Sequence, residues 1–187
     1  MSRFQIQSTP LAGLCTIVSK RMGDERGYLA RLFCDEELLQ VGWTADVAQI
    51  NLTHTREKGT VRGLHYQQPP HAEIKLVRCL RGEVWDVAVD LRRDSPTFLK
   101  WYAQHLSAKN MNALLIPQGF AHGFQTLTNN VEMLYLHSAP YVVDSEGGLN
   151  VKDPRLQITW PLAIGILSER DRQHPFITDS FEGLNIT

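Results

Sequence analysis

Ile74-Lys75-Leu76-Val77-Arg78-Cys79-Leu80, then Arg81-Gly82, then Glu83-Val84-Trp85-Asp86-Val87-Ala88-Val89-Asp90-Leu91 is the stretch on which the fold turns. Both runs alternate with period two, the spacing of strands whose two faces differ chemically. Ile74, Leu76 and Leu80 share one side of the first run, with Lys75, Val77 and Cys79 on the other. Trp85, Val87, Val89 and Leu91 make an apolar side of the second run, and Asp86 points the opposite way. Arg81-Gly82 reads as a turn, so the two runs are expected to pair as a hairpin that sets Asp86 on the side of Lys75.

The same period recurs along the chain. Further strands are expected at residues 14–19, 28–33, 46–53, 61–67, 101–106, 113–116, 123–127 and 131–137. A helix is expected at residues 35–41, with Asp35 as N-cap and Gly42 as terminator, and a second short one after Ser168. Many short strands punctuated by Gly and Pro predict an all-β fold, a cupin-like or jelly-roll β-barrel with a few short helices. Polar residues on inward faces favour an open mouth that holds a ligand. No internal repeat or linker interrupts the 187 residues, so a single domain spanning 1–187 is expected.

Composition narrows the function. A net charge of −1 leaves no basic surface for nucleic acid and no polybasic membrane patch. No apolar run reaches the ~18 residues that span a bilayer, and Met1-Ser2-Arg3-Phe4-Gln5-Ile6-Gln7 lacks a signal-peptide core. Cys15, Cys34 and Cys79 are odd in number and widely spaced, which fits neither a disulfide framework nor a zinc knuckle. A cytoplasmic protein is expected.

Two segments carry candidate chemistry. In Val61-Arg62-Gly63-Leu64-His65-Tyr66-Gln67, His65 shares a strand face with Gly63 and Gln67, while Arg62 faces away or sits at a bend. Glycine beside His65 leaves room for a ligand to approach. The second segment, Pro117-Gln118-Gly119-Phe120-Ala121-His122, carries the Pro-x-Gly-x-x-His signature of cupin barrels, whose histidine often ligates a metal. The usual companion ligands are not at standard spacing: His65 is followed by His71 and Glu73 across Pro69-Pro70, which a strand cannot traverse. No metal and no cofactor are therefore expected. The remaining groups, His65, Lys75, Asp86, His122, Tyr135, Tyr141 and Asp171, suffice for proton abstraction beside a carbonyl. Pattern alone leaves a plainer alternative open, a cross-strand Lys75–Asp86 ion pair worth ~0.2–1 kcal/mol with Tyr135 as strand filler.

Taken together the segments resemble the dTDP-4-dehydrorhamnose 3,5-epimerase family. The matching text runs from Gly23-Asp24-Glu25-Arg26-Gly27 through Gln49-Ile50-Asn51, Arg62-Gly63-Leu64-His65 and Lys75-Leu76-Val77-Arg78. It continues through Gly119-Phe120-Ala121-His122-Gly123, Leu134-Tyr135 and Trp160-Pro161 to Leu167-Ser168-Glu169-Arg170-Asp171. The resemblance implies a nucleotide-sugar substrate, with inversion at carbons 3 and 5 of a 4-keto-6-deoxyhexose. It implies His65 as general base with Asp171 as its partner, Tyr135 as opposing acid and Lys75 beside the ketone oxygen. Arg26 and Arg62 would bind pyrophosphate, Gln49 and Asn51 the base or sugar hydroxyls, and Tyr141 would stack on the base. His122 and Asp86 would support the sugar. It further implies a homodimer, with Arg26 serving the neighbouring subunit. The chain departs from the family text at Arg31, at Ala72-Glu73-Ile74 before the lysine, and at Val151. Inversion at carbon 3 alone, a CDP-linked sugar, a metal-dependent cupin enzyme and a non-catalytic binding barrel are the competing readings.

Overall fold

The computed structural model describes residues 2–186; the end residues of the expected 1–187 domain lie outside them. Among the described residues, thirteen strands and two short α-helices follow one another. They are β1 (Phe4–Ser8), β2 (Cys15–Ser19), β3 (Arg21–Asp24), β4 (Gly27–Ala30), α1 (Asp35–Leu39), β5 (Gln49–Thr55), β6 (Val61–Gln67) and β7 (Lys75–Arg81). Then come β8 (Glu83–Asp90), β9 (Trp101–Ser107), β10 (Asn112–Ile116), β11 (Phe120–Thr126), β12 (Val131–His137), β13 (Glu146–Gly148) and α2 (Glu169–Gln173).

The strands form two facing antiparallel sheets and a small hairpin. One sheet runs β1-β2-β10-β7-β12-β5, the other β13-β6-β11-β8-β9, and β3 pairs only with β4. This is the all-β, jelly-roll class expected from the sequence. No helix among the described residues is long and apolar enough to cross a membrane.

Three apolar layers hold the sheets. Val77, Cys79, Leu114, Ile116 and Met133 of the first sheet meet Val84, Ala88, Leu106 and Phe124 of the second, filling the space between them. Leu76, Ala113, Leu115 and Leu136 face outward under a cover of Leu38 and Trp43. Val61, Leu64, Val87, Val89 and Leu91 face outward under the C-terminal segment, through Leu149, Val151, Leu156 and Leu167. Each fully buried aliphatic side chain is worth ~1.5–3 kcal/mol, so covering both faces of both sheets is the main source of stability.

The expected hairpin does not form. β7 pairs with β10 and β12, whereas β8 pairs with β11 and β9 in the opposite sheet. Gly82, at φ +77°, turns the chain from one sheet into the other. A Cβ there would lie 2.6 Å from the Thr128 hydroxyl, the group that accepts a hydrogen bond from the Glu83 N–H. Alternation identifies a strand and its faces but not its partner. Here both faces of both strands are apolar enough to be buried, so a corner replaces the hairpin. Lys75 and Asp86 still face the same interior, one from each sheet, but bond elsewhere: Lys75 to Glu73 and Asp86 to His122.

The cap of helix α1 lies one residue earlier than expected. Cys34 is the N-cap, and Asp35 opens the first turn with Glu36 and Glu37, where acidic groups suit the positive end of the helix dipole. Gly42, at φ +100°, does end it: Gly42 N–H returns to Leu39 O and Trp43 N–H to Leu38 O, a Schellman pattern. The second helix starts where expected, with Ser168 as N-cap. Strands β1, β3 and β13, none of them expected, lie at sheet edges or in the hairpin.

Candidate active site

A cleft of about 880 Å³ opens between the two sheets. The second sheet lines it with Arg62 and His65 of β6 and His122 of β11. The first lines it with Gln49, Asn51 and Thr53 of β5, Lys75 of β7, and Tyr135 and His137 of β12. Tyr141, Glu146, Arg170 and Asp171 close one side.

His65 reaches the cleft through a distortion in β6. His122 pairs with His65, but Phe124 pairs with Arg62, so the register slips across Gly63-Leu64. Arg62 and His65 therefore both line the cleft while Leu64 stays in the outer core, as the bend expected at Arg62 allows. Gly63 adopts φ +123° with Gly123 packed against it, and a Cβ at 63 would lie 2.6 Å from Gly123 Cα. Only glycine fits.

Helix α2 delivers the partner of His65. The Ser168 hydroxyl accepts from the Asp171 N–H at 3.0 Å, which fixes the first turn and holds Asp171 in place. One carboxylate oxygen lies 2.8 Å from His65 Nε2 and the other accepts from the Gly63 N–H at 3.2 Å. Burial pushes the Asp171 carboxyl upward. The bonds from His65, Gly63 and Ser168 outweigh it and leave the group below its ordinary value, hence ionised. His174 packs edge-on to His65, with ring centroids 5.6 Å apart.

The opposite wall carries the phenol. Tyr135 lies on the inward face of β12, between Asn51 of β5 and Val77 of β7. Burial raises its pKa, so the hydroxyl stays protonated as a donor. Beside it, Lys75 Nζ lies 3.0 Å from Glu73 Oε1, and Glu73 Oε2 lies 2.9 Å from His137 Nδ1. His122 joins the walls, its ring 6.0 Å from that of Tyr135 and its Nε2 2.9 Å from Asp86.

Other residues singled out in the sequence fall in different places. Asp86 has no exposed surface and lies behind His122, so it orients that ring rather than touching a sugar. Arg62 lines the cleft and donates to the Thr55 hydroxyl at 2.9 Å. The Gln49 side chain accepts from the Tyr141 N–H, and the Tyr141 hydroxyl donates to Glu146. Arg26 does not line the cleft: it sits at the exposed turn between β3 and β4, paired with Asp24.

Four charged or imidazole residues of the cleft were given no part in this chemistry by the sequence: Glu73, weighed there only as a metal ligand, His137, Glu146 and Arg170. The alternation that selects Tyr135 also selects His137 two residues on; the other three lie outside any periodic run. Arg170 donates to Glu146 at 3.0 Å and its second nitrogen lies 3.3 Å from His65 Nε2. Ligand atoms of His65, Asp171 and His174 converge within 4.8 Å, a spacing that suits a metal ion. The Arg170 guanidinium, 3.3 Å from His65 Nε2, opposes a metal cation at this point.

Comparison with known proteins then decides the kinship. The family model for dTDP-4-dehydrorhamnose 3,5-epimerase matches residues 8–179. The chain belongs to the dTDP-4-dehydrorhamnose 3,5-epimerase family. A family member from Sinorhizobium fredii is 38% identical over 180 residues, covering 96% of this chain and 92% of that one. The Legionella pneumophila dTDP-6-deoxy-D-glucose-3,5-epimerase, solved in complex with dTDP-4-keto-L-rhamnose, superposes with a TM-score of 0.91. It is 36% identical, and the match covers 98% of this chain and 99% of that one. A 3'-monoepimerase from Streptomyces bikiniensis, solved with dTDP-quinovose, superposes with a TM-score of 0.84 at 32% identity, covering 91% of this chain and 86% of that one. The epimerase is thus an isomerase of sugar nucleotides, built on a sheet pair whose imidazole and phenol stand on opposing walls.

Proposed function

We propose that the chain inverts carbons 3 and 5 of a dTDP-linked 4-keto-6-deoxyhexose, with His65 as base and Tyr135 as acid. One observation carries this: an imidazole bonded to a carboxylate faces a phenol across a cleft of ligand size. A hydrogen beside a ketone is acidic because the electron pair of its C–H bond passes to the carbonyl oxygen as an enolate. His65 takes that proton, and Asp171 stabilises the imidazolium that results. Lys75 and His122 line the space where the negative oxygen would lie. The Tyr135 O–H then breaks as a C–H bond forms on the other face, and both groups recover their protonation states from solvent.

The test is incubation with dTDP-4-keto-6-deoxyglucose in deuterated water containing EDTA. Deuterium should enter at carbons 3 and 5, and both should invert, as followed by proton NMR. No incorporation would refute the activity, and loss of activity with the removal of a bound metal would refute metal-free proton transfer. Likeness to the 3'-monoepimerase supports a second reading, inversion at carbon 3 alone, which the same spectrum distinguishes.

A homodimer is proposed on two observations. Arg26 stands on an exposed hairpin outside the cleft, beside Tyr28 and Leu29, which are also exposed. The edge strand β5 exposes Ile50 and Leu52, and an apolar edge of this kind favours pairing with another chain. Mixing inactive Arg26→Ala and His65→Ala chains under subunit exchange should then restore activity, since some clefts would receive both intact residues. No recovery would show that Arg26 does not act across subunits. Three free thiols suit a reducing compartment, and the cytoplasm is the proposed location.

A further inference from the structure

Inverting two carbons of one ring calls for two deliveries on the same side. In a gluco-configured ring the hydrogens on carbons 3 and 5 project from one face. One base can therefore reach both, but both replacement protons must come from the opposite face. Tyr135 offers a single hydroxyl there.

His137 lies two residues further along β12 and lines the same cleft. Its ring is nearly parallel to that of Tyr135, with planes 16° apart and centroids at 6.1 Å. Its Nδ1 is held by Glu73 at 2.9 Å, and its Nε2 meets only the Asn51 amide nitrogen, at a long 3.5 Å. In the sheet it pairs with Lys75 on one side and Gln49 on the other. Burial pushes the Glu73 carboxyl upward, but His137 and Lys75 outweigh it and hold the group below its ordinary value. With Nδ1 held by the Glu73 carboxylate, Nε2 is the ring nitrogen that can carry a proton into the cleft. The first-sheet wall thus repeats the imidazole–carboxylate pairing of His65 and Asp171 on the other wall.

We propose that His137 is a second acid on the Tyr135 side of the cleft, protonating one of the two inverted carbons while Tyr135 protonates the other. The Nε2–H bond breaks as the enolate's electron pair forms the new C–H bond. The neutral imidazole regains its proton from solvent. The assignment rests on the two-carbon epimerase reading given above.

His137→Asn tests it, because the asparagine amide keeps a donor where Nδ1 stood but carries no acid. Wild type, His137→Asn and Tyr135→Phe are each incubated with dTDP-4-keto-6-deoxyglucose in deuterated water, and each carbon is followed by NMR. His137→Asn should slow inversion at one carbon by at least about tenfold relative to the other, in keeping with the ~10²–10⁴-fold a positioned acid supplies. Tyr135→Phe should slow the other carbon. Equal slowing of both carbons, no change in their ratio, or both variants acting on the same carbon would overturn the assignment. Should His137→Asn not fold, Glu73→Gln is read the same way: it leaves the imidazole but removes the carboxylate that holds its Nδ1. A wild-type enzyme that inverts one carbon only also overturns the assignment, whereas one that incorporates no deuterium overturns the epimerase reading itself.

Discussion

Replacing His65 by alanine is expected to abolish deuterium entry at every exchanging carbon. The His65 imidazole is held by a buried, ionised carboxylate, with 2.8 Å between His65 Nε2 and Asp171 Oδ1. A positioned general base supplies ~10²–10⁴-fold in rate, and the other imidazole of that wall, His122, is bonded instead to Asp86, whose carboxyl burial pushes upward. Asp171→Asn should cost less but still lower exchange sharply. The amide can keep the contacts to Gly63 and His65, while the charge that stabilises the imidazolium is gone. Exchange rates from proton NMR at saturating substrate are the readout. A His65→Ala enzyme retaining more than about a tenth of wild-type exchange, where a base should be worth ~10²-fold or more, would move the base elsewhere.

Tyr135→Phe should separate two events that the wild type couples. The aromatic body stays packed between the strands, so binding and enolate formation should largely survive. Only the hydroxyl is lost, and with it the proton for the far face. At the carbon Tyr135 serves, deuterium should enter with retained configuration faster than inverted product appears, because the deuterated His65 returns what it took. Inversion there should fall ~10²-fold or more. If exchange and inversion fell equally at every carbon, the division of labour between the walls would be refuted.

Much of this architecture was legible in the chain. The alternation of residues 61–67 and 131–137 gave both strands their observed bounds and set His65 and Tyr135 on faces that line the cleft. Ser168 announced its helix because a cap is a local hydrogen bond between near neighbours. What failed to show was pairing at a distance. The Gly82 corner looks like any hairpin turn, since the choice between pairing back and crossing over depends on what covers the outer faces, far away in sequence. The Asp35 cap was displaced for a subtler reason: three successive acidic residues all gain from the helix start, and composition does not choose among them. His137 obeyed the same alternation as Tyr135, but its carboxylate came from Glu73, just beyond the start of another strand. Arg26 lies in no periodic run, and the structure sets it on the exposed β3–β4 turn outside the cleft.

The layer of Val77, Leu114, Ile116, Ala88 and Phe124 between the sheets has an unexpected standing in the chemistry. The proposed base is carried by one sheet and the proposed acid by the other, so the bulk of these side chains sets the gap that a flat enolate would bridge. A shift of 1 Å in a reacting group costs ~10²-fold, and a core relieved of a methylene or two settles only in part. Proton removal is insulated from such a change, since His65 and Asp171 are tied together within one wall. Delivery is not. The ratio of retained to inverted product therefore works as a caliper laid across the oily interior, and errors of handedness, before any loss of turnover, are the first sign that residues with no view of the sugar have moved.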